Sequence, residues 1–175
     1  EYIFKHALTQ EVAYNSLLIE RRKVLHERTA QAIEEVYCDR LDDHYSELAH
    51  HYSRSGNTRK AVDYLQLAGQ QAVQRSANAE ATGHFAAALE LLKTLPDTTE
   101  RAQQELTLQL ALAVPLAITK GYATPEVETA YNRARELCQQ IGNTPQILPM
   151  WLGLRRFCLV RAEHKAAHEL AEQLL

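Results

Sequence analysis

Glycine and proline are scarce in this 175-residue chain, at 6 and 5 respectively, so few positions force a turn or break a helix. No run of alternating β-branched residues is long enough to propose a sheet. No apolar stretch reaches the roughly 18 residues that a membrane span needs. The opening EYIFKHAL carries neither an initiator Met nor a signal-peptide pattern, and HELAEQLL ends inside a helical pattern without a cap. The chain is therefore expected to be an excerpt of something longer. Cys38, Cys138 and Cys158 are odd in number and form no C-x-x-C pair, the usage of reduced thiols in a cytoplasmic protein. An excess of positive charge is also missing. A formal net charge of −3 argues against a chain whose main task is gripping nucleic acid. Membrane, disulfide scaffold and polyanion binder drop out, and an all-α chain rich in Ala, Leu, Glu, Gln and Arg is left.

The stretch His44 to Gly69, HYSELAHHYSRSGNTRKAVDYLQLAG, organises the rest. It reads as two antiparallel helices hinged at Ser55-Gly56-Asn57. Tyr45, Leu48, Ala49 and Tyr52 mark one helix, and Ala61, Leu65 and Ala68 the other. Small Ala49 and Ala61 let two helix backbones approach closely, while the larger side chains fill the space beside that contact. The small–large–small series returns as Ala81, Phe85 and Ala88, followed by Leu92. That return comes too soon for a complete second hairpin. The helix from Arg59 to about Arg75 is thus expected to serve two neighbouring pairs.

The remaining elements follow from punctuation and periodicity. A helix beginning near Leu18 should run to Tyr37 with Val24, Leu25, Thr29, Ile33, Val36 and Tyr37 as its apolar stripe. Its Arg21, Arg22 and Lys23 read as a solvated helix end. Asp42 and Asp43 can supply negative charge to the start of the next helix, and Thr58 is expected to cap the helix after the turn. A break is expected around Ser76 to Asn78, and Leu95-Pro96-Asp97 should end the following helix. Thr98 or Thr99 caps a long one, which Pro115 should kink and Gly121 should end. Thr124-Pro125 opens the next as a cap followed by Pro at the first helical position. A last pair is expected from Ile147 to about Val160 and from Glu163 onward, with Trp151, Leu154, Cys158, Ala167 and Ala171 repeating the opening pattern.

The series from Tyr45 to Ala68 resembles the tetratricopeptide signature, with Tyr for Trp and Leu for Phe. This resemblance implies an α-solenoid of antiparallel helical hairpins, a tetratricopeptide-like superhelix. The wider pattern FKHALTQEVAY…ERRKVLHERTAQAIE, followed by LAHHYSRSGNTRKAVDYLQLAGQQA, resembles a bacterial family of large signalling proteins. In these a STAND-class P-loop ATPase precedes a winged-helix region and tetratricopeptide-like repeats, and many members also carry a nucleotide cyclase, kinase or transcription-activation domain. The resemblance implies residues 1–40 as a winged-helix-like linker remnant and 41–175 as repeats. It also implies a non-catalytic regulatory interaction module, a protein or peptide partner, and an upstream ATPase domain using ATP or ADP with magnesium. No GxxxxGK[ST] occurs in the chain itself. His6 occupies the place of the family's nucleotide-sensing histidine, although Ala7 stands where the pattern has Asp. The alternative is a free-standing repeat scaffold that binds peptides.

Catalytic chemistry finds no constellation. His44, His50 and His51 lie near Asp42 and Asp43, but adjacent His50 and His51 point about 100° apart on a helix and cannot both close a metal site with His44. His164 and His168 share a helix face, yet HKAAH lacks the Glu that zinc hydrolases place beside the first His. No Ser or Cys sits in a nucleophile motif. No metal and no cofactor is assigned to this segment. If Leu48, Ala49 and Tyr52 face the neighbouring helix, Ser46, His50, Ser53 and Arg54 fall on the other side and are the candidates for a polar partner groove. The pairing itself is testable. Ala61→Leu should overpack the first hairpin by about 1–3 kcal/mol, and an unchanged melting temperature would contradict the proposed helix contact.

Overall fold

A computed structural model describes residues 14–15, 18–142, 147–162 and 168. Expectations for His6, His164 and the helix from Glu163 lie outside the described residues. Among the described residues the chain is all-helical, with no strand. No helix among them is long and apolar enough to cross a membrane. The chain divides into two compact units, one ending at Tyr64 and the other beginning at Leu65.

The first unit contains α1 (Ile19–Val36), a 3-10 segment (Cys38–His44), α2 (Tyr45–Ser55) and the opening turns of α3 (Thr58–Gln74). Contacts between α1 and α2 run Lys23 to Gly56, His26 to His51 and Tyr37 to His44, so the two helices are antiparallel. Leu48, Ala49, Tyr52, Ala61 and Val62 are buried, as the small–large series requires. The expected stripe on α1 packs only in part, through Ile33 and Tyr37. Ala30 and Ile33 are the buried positions of α1, while Val24, Leu25, Thr29 and Val36 are exposed. The face turned to α2 and the start of α3 runs through Lys23, His26, Glu27, Ala30, Ile33, Glu34 and Tyr37, each three or four residues from another member of the face. It is mostly polar, so hydropathy alone pointed to other sides of the helix.

The turn between α2 and α3 is built from three residues, Ser55, Gly56 and Asn57. Gly56 closes α2 at φ +88°, a left-handed conformation that favours glycine. The Ser55 hydroxyl donates to the Tyr52 carbonyl at 2.9 Å and accepts from the Asn57 N–H at 3.0 Å. Asn57 Oδ1 accepts from the Lys60 N–H at 3.3 Å, so Asn57 and not Thr58 caps α3. With glycine spent on ending α2, Asn57 is the one residue left whose side chain reaches back onto the new helix.

The second unit comprises the rest of α3, then α4 (Asn78–Leu92), α5 (Thr99–Lys120), α6 (Pro125–Ile141) and α7 (Ile147–Val160). Helix α3 ends in a reciprocal closure. The Ser76 N–H bonds the Val73 carbonyl and the Ala77 N–H bonds the Ala72 carbonyl, with Ser76 held at φ +59°. Thr98 caps α5 by accepting from the Arg101 N–H at 3.2 Å. Helix α5 continues past buried Pro115, which has no N–H to offer the preceding turn, and ends at Gly121. Thr124 precedes Pro125 as expected, but its hydroxyl donates back to the Gly121 carbonyl and does not cap α6. Ion pairs Lys120–Glu126 and Arg133–Glu105 make α5 and α6 antiparallel, and Gly153 beside Tyr131 with Arg161 paired to Glu128 does the same for α6 and α7.

Two glycines set how closely helices approach in this unit. A Cβ on Gly69 would lie 2.6 Å from Cε1 of buried Phe85, so the Phe85 ring of α4 sits directly on α3. A Cβ on Gly153 would collide with the Tyr131 ring. Gly69→Ala gains about 1 kcal/mol of helix propensity but overpacks a buried ring at about 1–3 kcal/mol. A net loss of up to about 2 kcal/mol is expected in chemical denaturation. Increased stability would show that Phe85 has room to withdraw.

Candidate functional site

Two regions concentrate functional side chains, one in each unit. In the first, α1 and α2 meet through a cluster of imidazoles. His26 Nδ1 lies 2.9 Å from His51 Nδ1, and Tyr14 Oη lies 3.0 Å from His26 Nε2. The His50 ring approaches both, with centroids 6.1 Å from His26 and 5.3 Å from His51. Arg54 Nη1 donates to His50 Nδ1 at 2.8 Å. Burial holds all three imidazoles below their ordinary value, with Arg54 acting the same way on each and neighbouring imidazoles adding to it at His26 and His50.

Of the partner-groove candidates, the structure thus joins His50 to Arg54 directly. Ser46 lies one turn before His50 and is exposed. Ser53 shares that face, but its hydroxyl donates to the Ala49 carbonyl at 2.6 Å. His44 parts from the other histidines. It stacks on Tyr37 with centroids 3.9 Å apart and pairs with Glu47 at 3.0 Å. Among the described residues no group of three or more His, Cys, Asp and Glu is placed to hold a metal. Sequence reasoning missed the His26–His51 contact. Its signal was the three-four spacing of polar residues along α1, visible only when histidine and glutamate are admitted to the packing face.

Further along the same seam, Glu34 of α1 accepts from Lys60 Nζ at 2.7 Å and from the Tyr64 hydroxyl at 2.6 Å. Tyr64 stacks on Tyr52 with ring centroids 5.5 Å apart, and Lys60 Nζ stands 4.9 Å from the Tyr52 ring centre. Burial pushes the Glu34 carboxyl up, but the hydrogen bonds from Lys60 and Tyr64 outweigh it and hold it below the ordinary 4.5. The same carboxylate and burial push the Tyr64 phenol well up.

In the second unit a groove of about 390 Å³ lies among α4, α5 and α6. Thr82, Ala86, Leu89 and Lys93 line it from α4 at spacings of four, three and four. Glu105, Gln109, Leu112 and Leu116 repeat that spacing on α5. Thr129 and Ala130 of α6 close the other wall. The floor is apolar and the charges stand in pairs: Lys93 with Glu90 at 2.6 Å, Lys120 with Glu126 at 2.8 Å, and Arg133 with Glu105 through two hydrogen bonds. No histidine, cysteine or serine lines this groove. The sequence reading passed over it because Ala81, Phe85, Ala88 and Leu92 accounted for α4 packing. The second stripe, Ala86 and Leu89, was the available signal.

An uncharacterized protein of Rhizobium meliloti (strain 1021) is 29% identical to the chain over 154 residues. The match takes in 87% of this chain and spans only 15% of that relative's length. No family model matches the chain, and no solved structure matches it.

The Glu34 network yields a directional expectation. Because its folded carboxyl is depressed, the stabilisation is full above pH 4.5 and is lost as pH falls through the folded value. Charged hydrogen bonds contribute about 1.5–3 kcal/mol, reduced here because Lys60 is 42% exposed. Glu34→Ala should therefore cost about 1–2 kcal/mol near neutral pH and flatten the acid limb of the stability curve. Urea denaturation at pH 7 and pH 3.5 reads both effects.

Proposed function

We propose that this chain is a non-catalytic protein-interaction module, a stack of tetratricopeptide-like hairpins forming an α-solenoid within a larger ATP-dependent signalling protein. The observation that carries the reading is the open groove of the second unit. Its floor is aliphatic, its rim charges are already neutralised in pairs, and its lining holds no serine, cysteine or histidine. Such a surface suits the side chains of a peptide segment laid across helices α4 to α6. Binding energy would come from apolar burial over exposed Ala86 and half-buried Leu112, and the paired rim would steer orientation.

Two further observations support the larger setting. The small–large–small residues that suggested stacked hairpins are the buried ones, from Leu48 and Ala49 through Ala88 and Leu92. The bacterial relative extends far beyond the matched region, as expected if such a module is one part of a multidomain chain. In that setting the module regulates an upstream ATPase by binding a partner unequally in two arrangements. Residues 1–40 would be the linker to that ATPase, and His6 its nucleotide-sensing group. ATP or ADP and magnesium belong to the upstream domain.

Ala86 offers a clean test because it is exposed within the groove, on a helix whose opposite stripe makes the core. Peptides selected from a random display library against the 175-residue chain should lose at least about tenfold in affinity on Ala86→Arg, or about 1.4 kcal/mol. The melting temperature should stay unchanged. Selected peptides whose affinity ignores Ala86→Arg, or failure to select any, would overturn the groove as the recognition surface.

A further inference from the structure

The imidazole cluster of the first unit has a property that neither the groove nor the implied ATPase requires. Between His26 Nδ1 and His51 Nδ1, at 2.9 Å, there is room for one proton and a need for one. If His26 carries it, His26 Nδ1 donates to His51 and the Tyr14 hydroxyl donates to His26 Nε2. If His51 carries it, the bond reverses and His26 Nε2–H donates to Tyr14 Oη. Both neutral arrangements are satisfied. A proton added at Nε2 of the donor ring leaves the bond in place, but a proton on the acceptor Nδ1 as well turns two N–H groups toward each other and removes it. His50 behaves alike, since Arg54 donates to its Nδ1 and a proton there would leave imidazolium against guanidinium.

We propose that His26 and His51, with His50 beside them, form a proton-operated latch between α1 and α2, closed while one of the two facing Nδ1 atoms is bare and released when both are protonated. The surrounding charges do not offset protonation. From α1, Arg22 lies over the Tyr14 ring, Lys23 is paired with Glu20, and Glu27 accepts from Asn57. From α2, Glu47 is paired with His44, and Arg54 is the charge hydrogen-bonded to the cluster. Glu47 is the carboxylate that favours the charged form of His50 and His51, but burial and Arg54 act against it, and all three imidazoles stay below 6.5.

The sign follows. The latched state binds fewer protons than the released one, so the latch is at full strength above pH 6.5 and weakens as pH falls through the latched values. Release is confined to one end of α1. Glu34 remains bound by Lys60 and Tyr64 until its own carboxyl protonates, at a pH below 4.5. The segment set free is therefore the N-terminal half of α1, which carries exposed Leu18, Ile19, Val24 and Leu25.

Histidine-labelled NMR together with amide hydrogen exchange tests the latch in the 175-residue chain. At pH about 7.5 one of His26 and His51 should be the Nδ1–H tautomer and the other should present a bare Nδ1. Between pH about 7.5 and 5.5, exchange of residues 19–28, corrected for its intrinsic pH dependence, should rise about tenfold as the imidazoles titrate. Residues 33–36 should stay protected. The double variant His26→Asn/His51→Asn places carboxamides near the Nδ1 positions and cannot titrate, so its exchange should lose this pH dependence. Wild-type imidazoles titrating at the ordinary value with unchanged exchange at 19–28 would overturn the latch. So would a double variant that keeps the wild-type pH response. If the double variant does not fold, the wild-type tautomers and exchange profile decide by themselves.

Discussion

Close approach of neighbouring helices at small residues is the constraint on which this structure rests. Gly69 leaves the space that Phe85 occupies, Gly153 leaves the space for Tyr131, and Ala49, Ala61, Ala68 and Ala88 are fully or nearly fully buried. A helix held this way by a narrow stripe keeps its other faces available. Helix α4 shows the consequence. Ala81, Phe85, Ala88, Leu89 and Leu92 go into the core, and Thr82, Ala86 and Lys93, with the edges of Leu89 and Leu92, are left to line a groove. The groove is the remainder of a packing solution.

Packing of this kind was legible in the sequence where the stripe is apolar. The small–large–small positions from Leu48 to Leu92 are buried, and the hinge at Gly56, the break at Ser76 and the cap at Thr98 fall where turn chemistry put them. Legibility failed where polar side chains do the packing. On α1 the expected stripe held only at Ile33 and Tyr37, while Val24, Leu25 and Val36 stay exposed and His26, Glu27 and Glu34 make the other contacts. Local hydrogen bonds were misassigned for a related reason. Thr58 and Thr124 have the composition of caps, but Asn57 reaches the α3 N-terminus and Thr124 turns back to Gly121. Hydroxyl and carboxamide oxygens have several backbone partners within reach, and sequence does not rank them.

The polar seam between α1 and α2 has different physics from the apolar contacts around Phe85 and Tyr131. Apolar burial is nearly indifferent to pH, and its strength scales with area removed from water. A hydrogen bond between two imidazoles depends on which atom holds a proton, and fails completely when both do. The Glu34 carboxylate adds a second ionisable contact, but with the opposite requirement, since it must stay deprotonated to bind Lys60 and Tyr64 as an anion. The seam is therefore whole only between the two titrations, with imidazoles neutral and carboxylate charged.

That window also explains why a stretch of histidines is tolerated at a helix contact when leucines would pack with less desolvation cost. Replacing His26 and His51 by apolar residues of similar size would give a seam that holds at any pH, the usual result of exchanging buried polar groups for packed hydrocarbon. What the histidines add is conditionality at one end of α1, while Glu34 keeps the other end in place. A regulatory module needs an element with two arrangements of similar free energy, biased by something the cell changes. A helix whose N-terminal half is held by shared protons, and whose C-terminal half is held by a carboxylate, satisfies that requirement with its own side chains.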